Sequence, residues 1–237
     1  MNPKFFPLIL CLLGAPASLW ANPLVFIDAA HGGSDTGVLS GKQAEKDWDL
    51  KFALALKAAL AQAGFDVALS RDGDSAVDAD KRTQTINTSG AAAVLVLHAD
   101  KEMSGVIAGP FFVVEPPNHP DGAEGSEVRR WGLVTPSQYR QSLKLARALA
   151  FQLGVGPDFS DLSDSRGLLG ESGTATGRIL CSPEQSLRDL TVPAVDVIPL
   201  FLSHEADLKK YSDPAALASF CAKLAKGTAE YLRGSNE

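Results

Sequence analysis

The sequence has too few basic residues to favour a nucleic-acid partner. Its 237 residues include 22 lysines and arginines against 28 aspartates and glutamates, which gives a formal net charge of −6. Nucleic-acid binding depends on neutralising phosphates with basic side chains, so a chain of this charge is repelled. The 45% hydrophobic and 21% charged residues are ordinary for a globular domain with a sizeable core. The sequence also lacks repeats, low-complexity tracts and an interdomain linker, so we expect one domain.

Long apolar runs are missing too, apart from a short one near the amino terminus. Residues 5–13 are mostly apolar, follow Lys4 and precede small residues that end at Ala21. This pattern predicts a cleavable signal peptide over residues 1–21 and a mature domain over residues 22–237. The run is too short to span a bilayer comfortably, which disfavours an uncleaved membrane anchor. We therefore expect a secreted or periplasmic protein without a stable transmembrane span.

Cysteine is scarce, with three residues, and Cys11 lies in the predicted signal peptide. Cys181 and Cys221 remain, and an oxidising compartment would permit a disulfide between them. Cys221 lies among apolar residues at helical spacing, however, and an unbridged cysteine is common in protein cores. We favour two buried thiols over a disulfide.

The rest of the chain alternates predicted strands and helices. Strands are predicted at 23–28, 65–70, 92–98, 105–115 and 193–204, and helices at 47–64, 78–90, 139–153 and from Asp213-Pro214 onward. This β-α-β-α-β alternation predicts an α/β fold with a mostly parallel twisted sheet and helices on both faces. Two stretches, 116–136 and 154–186, lack periodicity, and loops of that length are typically lids, binding loops or disordered segments.

Two of the four histidines follow predicted strands, His31 after the first and His98 after the third. The carboxyl ends of parallel strands form the edge where ligand sites lie, so both imidazoles are placed like metal ligands. Glu45, just before the first helix, brings a carboxylate to the same edge. Two histidines and a glutamate leave an open tetrahedral position for water, as in a catalytic zinc site. From the pattern alone, a first-turn acid favoured by the helix dipole explains Glu45 equally well.

Six motifs, taken together, resemble a known enzyme family. They are "VFIDAAHGGSDTGV", "AEKDWDL", "VALSRDGD", "KRTQTIN", "VLVLHAD" and "PAVDVIPLFLS". Their order and spacing resemble the type 3 family of zinc-dependent N-acetylmuramoyl-L-alanine amidases across nearly the whole mature chain. Those enzymes hydrolyse the amide between the lactyl group of N-acetylmuramic acid and the L-alanine of the peptidoglycan stem peptide.

The resemblance implies roles for particular residues. His31, Glu45 and His98 match the zinc ligands of the family. Asp28 matches the aspartate ahead of the first histidine, where a partner that orients His31 is expected. Zinc is the implied cofactor, placed at the carboxyl edge of the strands, and peptidoglycan is the implied substrate.

The strand "PAVDVIPLFLSH" departs from the family at the catalytic position. The family carries there a glutamate that activates the attacking water, and Ile198 stands at that place. Asp196 points to the same face, about 6.6 Å back along the strand, in a run where an unpaired carboxylate is costly. We take Asp196 as the candidate catalytic base, which it can be if a bulge or shift brings it to the water. The alternatives are a loop carboxylate such as Glu171, or an Asp196 that pairs with a buried arginine or is merely tolerated.

Two functions therefore stay open. The first is a zinc-dependent amidase that cleaves peptidoglycan. The second is a degenerate homologue that binds zinc or peptidoglycan without cleaving it, which the changes at Ile198 and Leu200 favour.

Arg71 and Asn87 also match family positions, where a structural role suits them as well as any other. The loop at 116–136 is a candidate wall of a substrate groove.

Overall fold

The computed structural model describes residues 22–101, 107–117, 134–155, 159–161, 178–182 and 184–234. The predicted signal peptide and Glu171 lie outside these ranges, as does most of the two loops predicted at 116–136 and 154–186. Among the described residues, no helix has the length and apolar character needed to cross a membrane.

The described chain contains strands and helices in mixed order. The strands are β1 (Leu24–Ala29), β2 (Leu39–Ser40), β3 (Gln43–Ala44), β4 (Asp66–Leu69), β5 (Ala93–Leu97), β6 (Phe111–Val114), β7 (Phe159–Asp161), β8 (Ile179–Cys181) and β9 (Ala194–Ile198). The helices are α1 (Glu45–Gln62), α2 (Ala79–Thr88), α3 (Pro136–Leu153), α4 (Glu205–Ser212) and α5 (Pro214–Gly234).

One sheet of seven strands organises the fold, in the order β4-β1-β5-β9-β6-β8-β7. Every pairing in it is parallel except that of β6 with β9, which is antiparallel. Strands β2 and β3 form a separate small hairpin. The predicted mostly parallel sheet in an α/β domain is confirmed.

Helices cover both faces of this sheet, as predicted. Helices α1, α3 and α5 bury the larger apolar cluster on one face, which includes Phe52, Leu149 and Cys221. On the other face, Ile86 of α2 packs with residues of β1, β5 and the segment before β9, among them Leu187. Cys181 and Cys221 are both buried thiols, which confirms the expectation against a disulfide.

The helix ends follow local sequence signals. Helix α3 begins with a capping box between Thr135 and Gln138 and ends at Gly154, whose φ of 69° suits glycine. Helix α5 begins at Pro214, directly after Asp213, as predicted. Pro199 follows the last residue of β9, so the strand predicted at 193–204 is shorter in the structure.

Five short elements of the described chain escaped prediction, and two of them, β2 and β3, have only two residues each. Strands β7 and β8 lie inside the stretch expected to be loop, and three residues are too few for an alternating pattern to be visible. Helix α4 has eight residues, of which only a few are apolar, so it carries a weak helical period. His204 caps this helix, since its Nδ1 accepts a hydrogen bond from the backbone N–H of Asp207 at 3.3 Å.

The strand register aligns three residues of the central strands. Asp28 of β1 is opposite Val96 of β5, and Val96 is opposite Asp196 of β9. Partners in a parallel sheet point to the same face, and His98 follows Val96 by two residues on that face. The register therefore places Asp28, Asp196 and His98 on the face that α2 covers.

Candidate metal centre

His31, Glu45 and His98 come together at the carboxyl edge of β1 and β5, as the sequence predicts. One ligand atom from each side chain lies within 4.8 Å of the others. His31 Nε2 and Glu45 Oε2 are 3.2 Å apart. Two tetrahedral zinc ligands with bonds of 2.0–2.1 Å stand about 3.3 Å apart, so this pair fits one ion. The two imidazole rings meet edge-on, with centroids 5.3 Å apart.

The turn after β1 brings His31 into the site. His31 has a φ of 56°, an uncommon conformation for a residue with a side chain, and Gly32 follows with a φ of 126°. A Cβ on Gly32 would stand 2.3 Å from the carbonyl oxygen of Ser75, so the chain passes too close there for any other residue. A Cβ on Gly37 would stand 2.5 Å from Glu45 Oε2 and 2.7 Å from His31 Cδ2. Glycine at both positions therefore makes room for the ligands.

Glu45 is the first residue of α1 and is 4% exposed. Its Oε2 accepts a hydrogen bond from the backbone N–H of Val38 at 2.8 Å. This bond and the contact with His31 hold the carboxylate at the centre of the cluster, which distinguishes Glu45 from an ordinary first-turn acid.

Each histidine has a carboxylate behind it. His31 Nδ1 is 2.9 Å from Asp35 Oδ2, and His98 Nδ1 is 3.0 Å from Asp196 Oδ2. A ring whose Nδ1–H is donated to a carboxylate presents the lone pair of Nε2, which is the form that binds a metal. Both contacts therefore orient the rings so that Nε2 is the nitrogen available to a metal.

The same contacts alter the affinity of the rings for protons. Burial lowers the pKa of His98, but the Asp196 carboxylate outweighs it and raises this pKa to about 10. Burial also lowers the pKa of His31, while the contacts with Glu45 and Asp35 raise it to a net value above the ordinary one. The centre thus attracts positive charge, as a site for a cation should.

Asp196 lies behind His98 and away from the cavity. It is 2% exposed, and its Oδ1 is buried without a hydrogen-bond partner among the described residues. Strand β9 keeps regular pairing through Asp196, so the bulge that a catalytic base would need at this position is not present. Ile198, on the same face, packs in an apolar cluster with Phe111 and Phe201. The geometry gives Asp196 the task of positioning His98.

Asp28 does not contact the imidazole of His31 as the sequence suggested. Its carboxylate accepts a hydrogen bond from Arg82 of α2. Arg82 also donates to the carbonyl oxygens of Ala29, at 2.8 Å, and of His31, at 3.2 Å. Asp28 therefore acts on the backbone of the His31 turn through Arg82, and Asp35 takes the place beside the ring.

Arg71 and Asn87 have structural roles. Arg71 is buried and donates to the carbonyl oxygens of Ala29, Ala30 and Lys46, which ties the His31 turn to α1. Asn87 of α2 bonds the segment before β9, since it donates to the Asp189 carbonyl and accepts from the Thr191 N–H.

A cavity of about 260 Å³ opens beside the two histidines. Arg82, Thr83 and Ile86 of α2 form one wall, and Glu184, Gln185 and Ser186 form another; Asp28, His31, Asp35 and His98 are also among its lining residues. Sequence reasoning missed Asp35, Arg82 and Glu184. Asp35 lies four residues after His31 in a glycine-rich turn, and this proximity is the local signal that could have identified it.

Comparisons with known proteins agree with this picture. The family model described as N-acetylmuramoyl-L-alanine amidase matches residues 25–230. The N-acetylmuramoyl-L-alanine amidase CwlM of Bacillus licheniformis is 41% identical over 76 residues, which are 31% of this chain and 30% of that protein. The match thus spans less than a third of the length of this relative.

Two solved structures share the fold over almost the whole chain. An N-acetylmuramoyl-L-alanine amidase from Clostridium difficile 630 has a TM-score of 0.65 at 21% identity, covering 90% of this chain and 97% of that one. The CwlD amidase of Clostridioides difficile, solved in complex with the GerS lipoprotein, has a TM-score of 0.65 at 19% identity, covering 90% and 100%. With the family match over residues 25–230, the chain belongs to the N-acetylmuramoyl-L-alanine amidase family.

Proposed function

We propose that this chain is a zinc-dependent amidase that hydrolyses the bond between N-acetylmuramic acid and L-alanine in peptidoglycan. The observation that carries the proposal is the cluster of His31, Glu45 and His98, in which both histidines turn Nε2 toward the same centre. Two imidazole nitrogens and one carboxylate oxygen form a donor set suited to catalytic zinc with an open position. The predicted signal peptide adds the proposal that the protein acts outside the cytoplasmic membrane.

The chain's own residues divide the work of such a site. His31, Glu45 and His98 would hold the ion, and Asp35 and Asp196 keep the two rings in the correct tautomer and orientation. The chemistry that bound zinc supplies is polarisation of the scissile carbonyl and a lower pKa for the attacking water. The cavity beside the histidines gives an amide access to the centre from the side of α2.

A second candidate function, a homologue that binds the wall without cutting it, has one observation in its favour. Ile198 occupies the strand position of the family's catalytic glutamate and is packed in an apolar cluster. Losing a general base typically costs about 10²–10⁴-fold in rate. This candidate therefore predicts bound zinc and wall binding with no more than residual turnover.

The deciding experiment measures stem-peptide release from purified peptidoglycan, with and without a chelator, together with the zinc content of the protein. Release that the chelator abolishes and added zinc restores supports the amidase. His98→Ala should lose both zinc and activity. His204→Asn is the matched control, because His204 caps α4 outside the site and asparagine is a good capping residue. A zinc-loaded protein that releases nothing would contradict the proposal and favour the binding homologue.

A further inference from the structure

We propose that Glu184 is the general base of this chain and replaces the glutamate that the family carries on the strand where Ile198 stands. The inference rests on the proposed amidase function. It assigns the missing catalytic carboxylate to the segment between β8 and β9.

The cavity beside the histidines carries the proposal. Its lining includes three carboxylates, those of Asp28, Asp35 and Glu184. Asp28 is bonded to Arg82. Asp35 accepts hydrogen bonds from His31 Nδ1 at 2.9 Å and from the Gly37 N–H at 3.0 Å. Both are engaged in holding the His31 turn, so Glu184 is the carboxylate of this set that faces the cavity without such a task.

Glu184 shares the cavity with His31 and His98. It is close enough to the centre that the charges of Asp196 and His98 both influence its carboxyl group. A base must lie within direct or one-water reach of the proton that it takes, and a cavity wall shared with the metal-binding histidines is the place for it.

The backbone at Glu184 is firmly held. Its N–H donates to Glu115 Oε2 at 2.6 Å, and its carbonyl oxygen accepts from the N–H groups of Leu187 and Arg188, both at 3.1 Å. Leu187 is 1% exposed and packs against the sheet on the face of α2. A carboxylate carried on a backbone held in this way is preorganised for proton transfer.

The electrostatic setting supports the role. Burial raises the pKa of Glu184, and the charge of Asp196 raises it further, while the charge of His98 and the nearby backbone N–H groups of Gln185 and Ser186 lower this pKa. The net effect is a pKa above the ordinary value for glutamate. A carboxylate of higher pKa is a stronger base, which is how enzymes adapt glutamate to this work.

The proposed step balances in atoms and charge. Glu184 takes a proton from water as the water oxygen bonds to the carbonyl carbon of the lactyl amide. The carbon–nitrogen bond then breaks, and the same proton passes from Glu184 to the nitrogen of L-alanine. The products are the lactyl carboxylic acid and the amine of the stem peptide, and the acid then gives its proton to the amine to form a carboxylate and an ammonium group. No oxidant or other reactant is needed.

The test compares Glu184→Gln with wild type and with Glu205→Gln, a control on the exposed first turn of α4. Glutamine has nearly the size and shape of glutamate, and the bonds that hold residue 184 involve its backbone, so the fold should be retained. We expect kcat to fall by about 10²–10⁴-fold in Glu184→Gln. Zinc content and cosedimentation with intact peptidoglycan should match wild type, and Glu205→Gln should be fully active.

A second variant separates a chemical role from a structural one. Glu184→Ala removes the carboxylate and leaves room for a small one, so added formate should restore part of its rate and leave wild type unchanged. The assignment of Glu184 as the base would be overturned if Glu184→Gln kept activity within tenfold of wild type, or if its activity fell only because zinc was lost. Either result would leave the proposed amidase function standing. A wild-type protein that releases no stem peptide would overturn the amidase function, and this inference with it.

Discussion

The Asp196 carboxylate contacts the back of His98, with Oδ2 3.0 Å from Nδ1. This contact explains an acid inside a strand that is otherwise apolar, since a buried carboxylate needs a charged or hydrogen-bonding partner. The partner comes from the neighbouring strand, because Val96 of β5 is in register with Asp196 and His98 follows two residues later. A charge that looks out of place in an apolar strand therefore supports one of the predicted metal ligands.

Asp196→Asn should weaken zinc binding more than it weakens the chemical step. The amide loses the charge that makes His98 a basic ligand, and such partners are typically worth about 10–100-fold in metal affinity. Zinc affinity, measured by competition with a chromophoric chelator, should fall by that amount. At saturating zinc, kcat should recover to within about tenfold of wild type.

The same variant tests the prediction from the sequence that Asp196 is the catalytic base. A base variant would stay about 10²–10⁴-fold slow at saturating zinc, with zinc affinity unchanged. Asp66→Asn serves as the control, since Asp66 is exposed on β4 at the far edge of the sheet.

Asp35→Asn should lower zinc affinity less than Asp196→Asn does. The two carboxylates make matching contacts with Nδ1, at 2.9 and 3.0 Å, but the Asp35 side chain is 65% exposed and that of Asp196 is 3% exposed. Water screens the exposed charge, which reduces its influence on the ring. The chelator competition measures both variants side by side, and an equal loss of affinity would contradict this ranking.

Gly227→Ala should destabilise the protein although alanine favours helix. Gly227 lies inside α5, where an added Cβ would stand 2.9 Å from the carbonyl oxygen of Ala148 and from Leu149 Cα of α3. The two helices would have to move apart, at a cost of roughly 1–3 kcal/mol. Gly234→Ala meets no atom within 4 Å and should be neutral or slightly stabilising. Urea unfolding of both variants compares the two effects, and equal stability would show that the helices can separate freely.

Glu115→Gln should change the pH dependence of stability. Burial raises the pKa of Glu115 to about 7, although the N–H of Glu184 lowers it. Below the ordinary pKa of about 4.5 the group is protonated in both folded and unfolded chains and costs nothing. Between pH 4.5 and about 7 the unfolded chain ionises this group while the folded chain keeps it protonated, so wild-type stability falls across this window and stays lower above it. The Tm of the variant should therefore exceed that of wild type by a few degrees at pH 8 and differ little from it at pH 4.5.

Thermal unfolding at the two pH values measures this difference. The matched control is Glu230→Gln, which alters an exposed glutamate on α5. If Tm rose by the same amount at both pH values, the protonation of Glu115 would not be the cause of the increase.

Sequence reasoning placed the two predicted histidine ligands together by a topological rule, and Glu45 joined them through the family resemblance. His31 and His98 each follow a strand, and neighbouring parallel strands end at one edge. The partners of those ligands depend instead on register and on which strands become neighbours, which a sequence pattern does not reveal. From the sequence alone, Asp196 is therefore an unexplained carboxylate in an apolar strand, and only the structure reveals its contact with His98.

Glu184 and Arg82 escaped for a different reason. Each reaches the site through tertiary packing of a segment that lies far from the ligands in the chain. Arg82 lies in α2, whose sequence shows only an ordinary helical pattern, and Glu184 follows β8, which is too short to be recognised from the sequence. The acid at Glu171, named from the sequence as an alternative base, lies outside the described residues and stays a prediction.

The contact between His98 and Asp196 also has a bearing on the order in which the protein matures. The two residues are 98 positions apart, and the three ligands all lie in the first half of the chain. During synthesis or export the ligands emerge long before the last strand that completes the environment of His98. If the chain binds zinc as proposed, full affinity for the ion would arrive only once β9 has docked beside β5, which would link metal loading to the completion of folding.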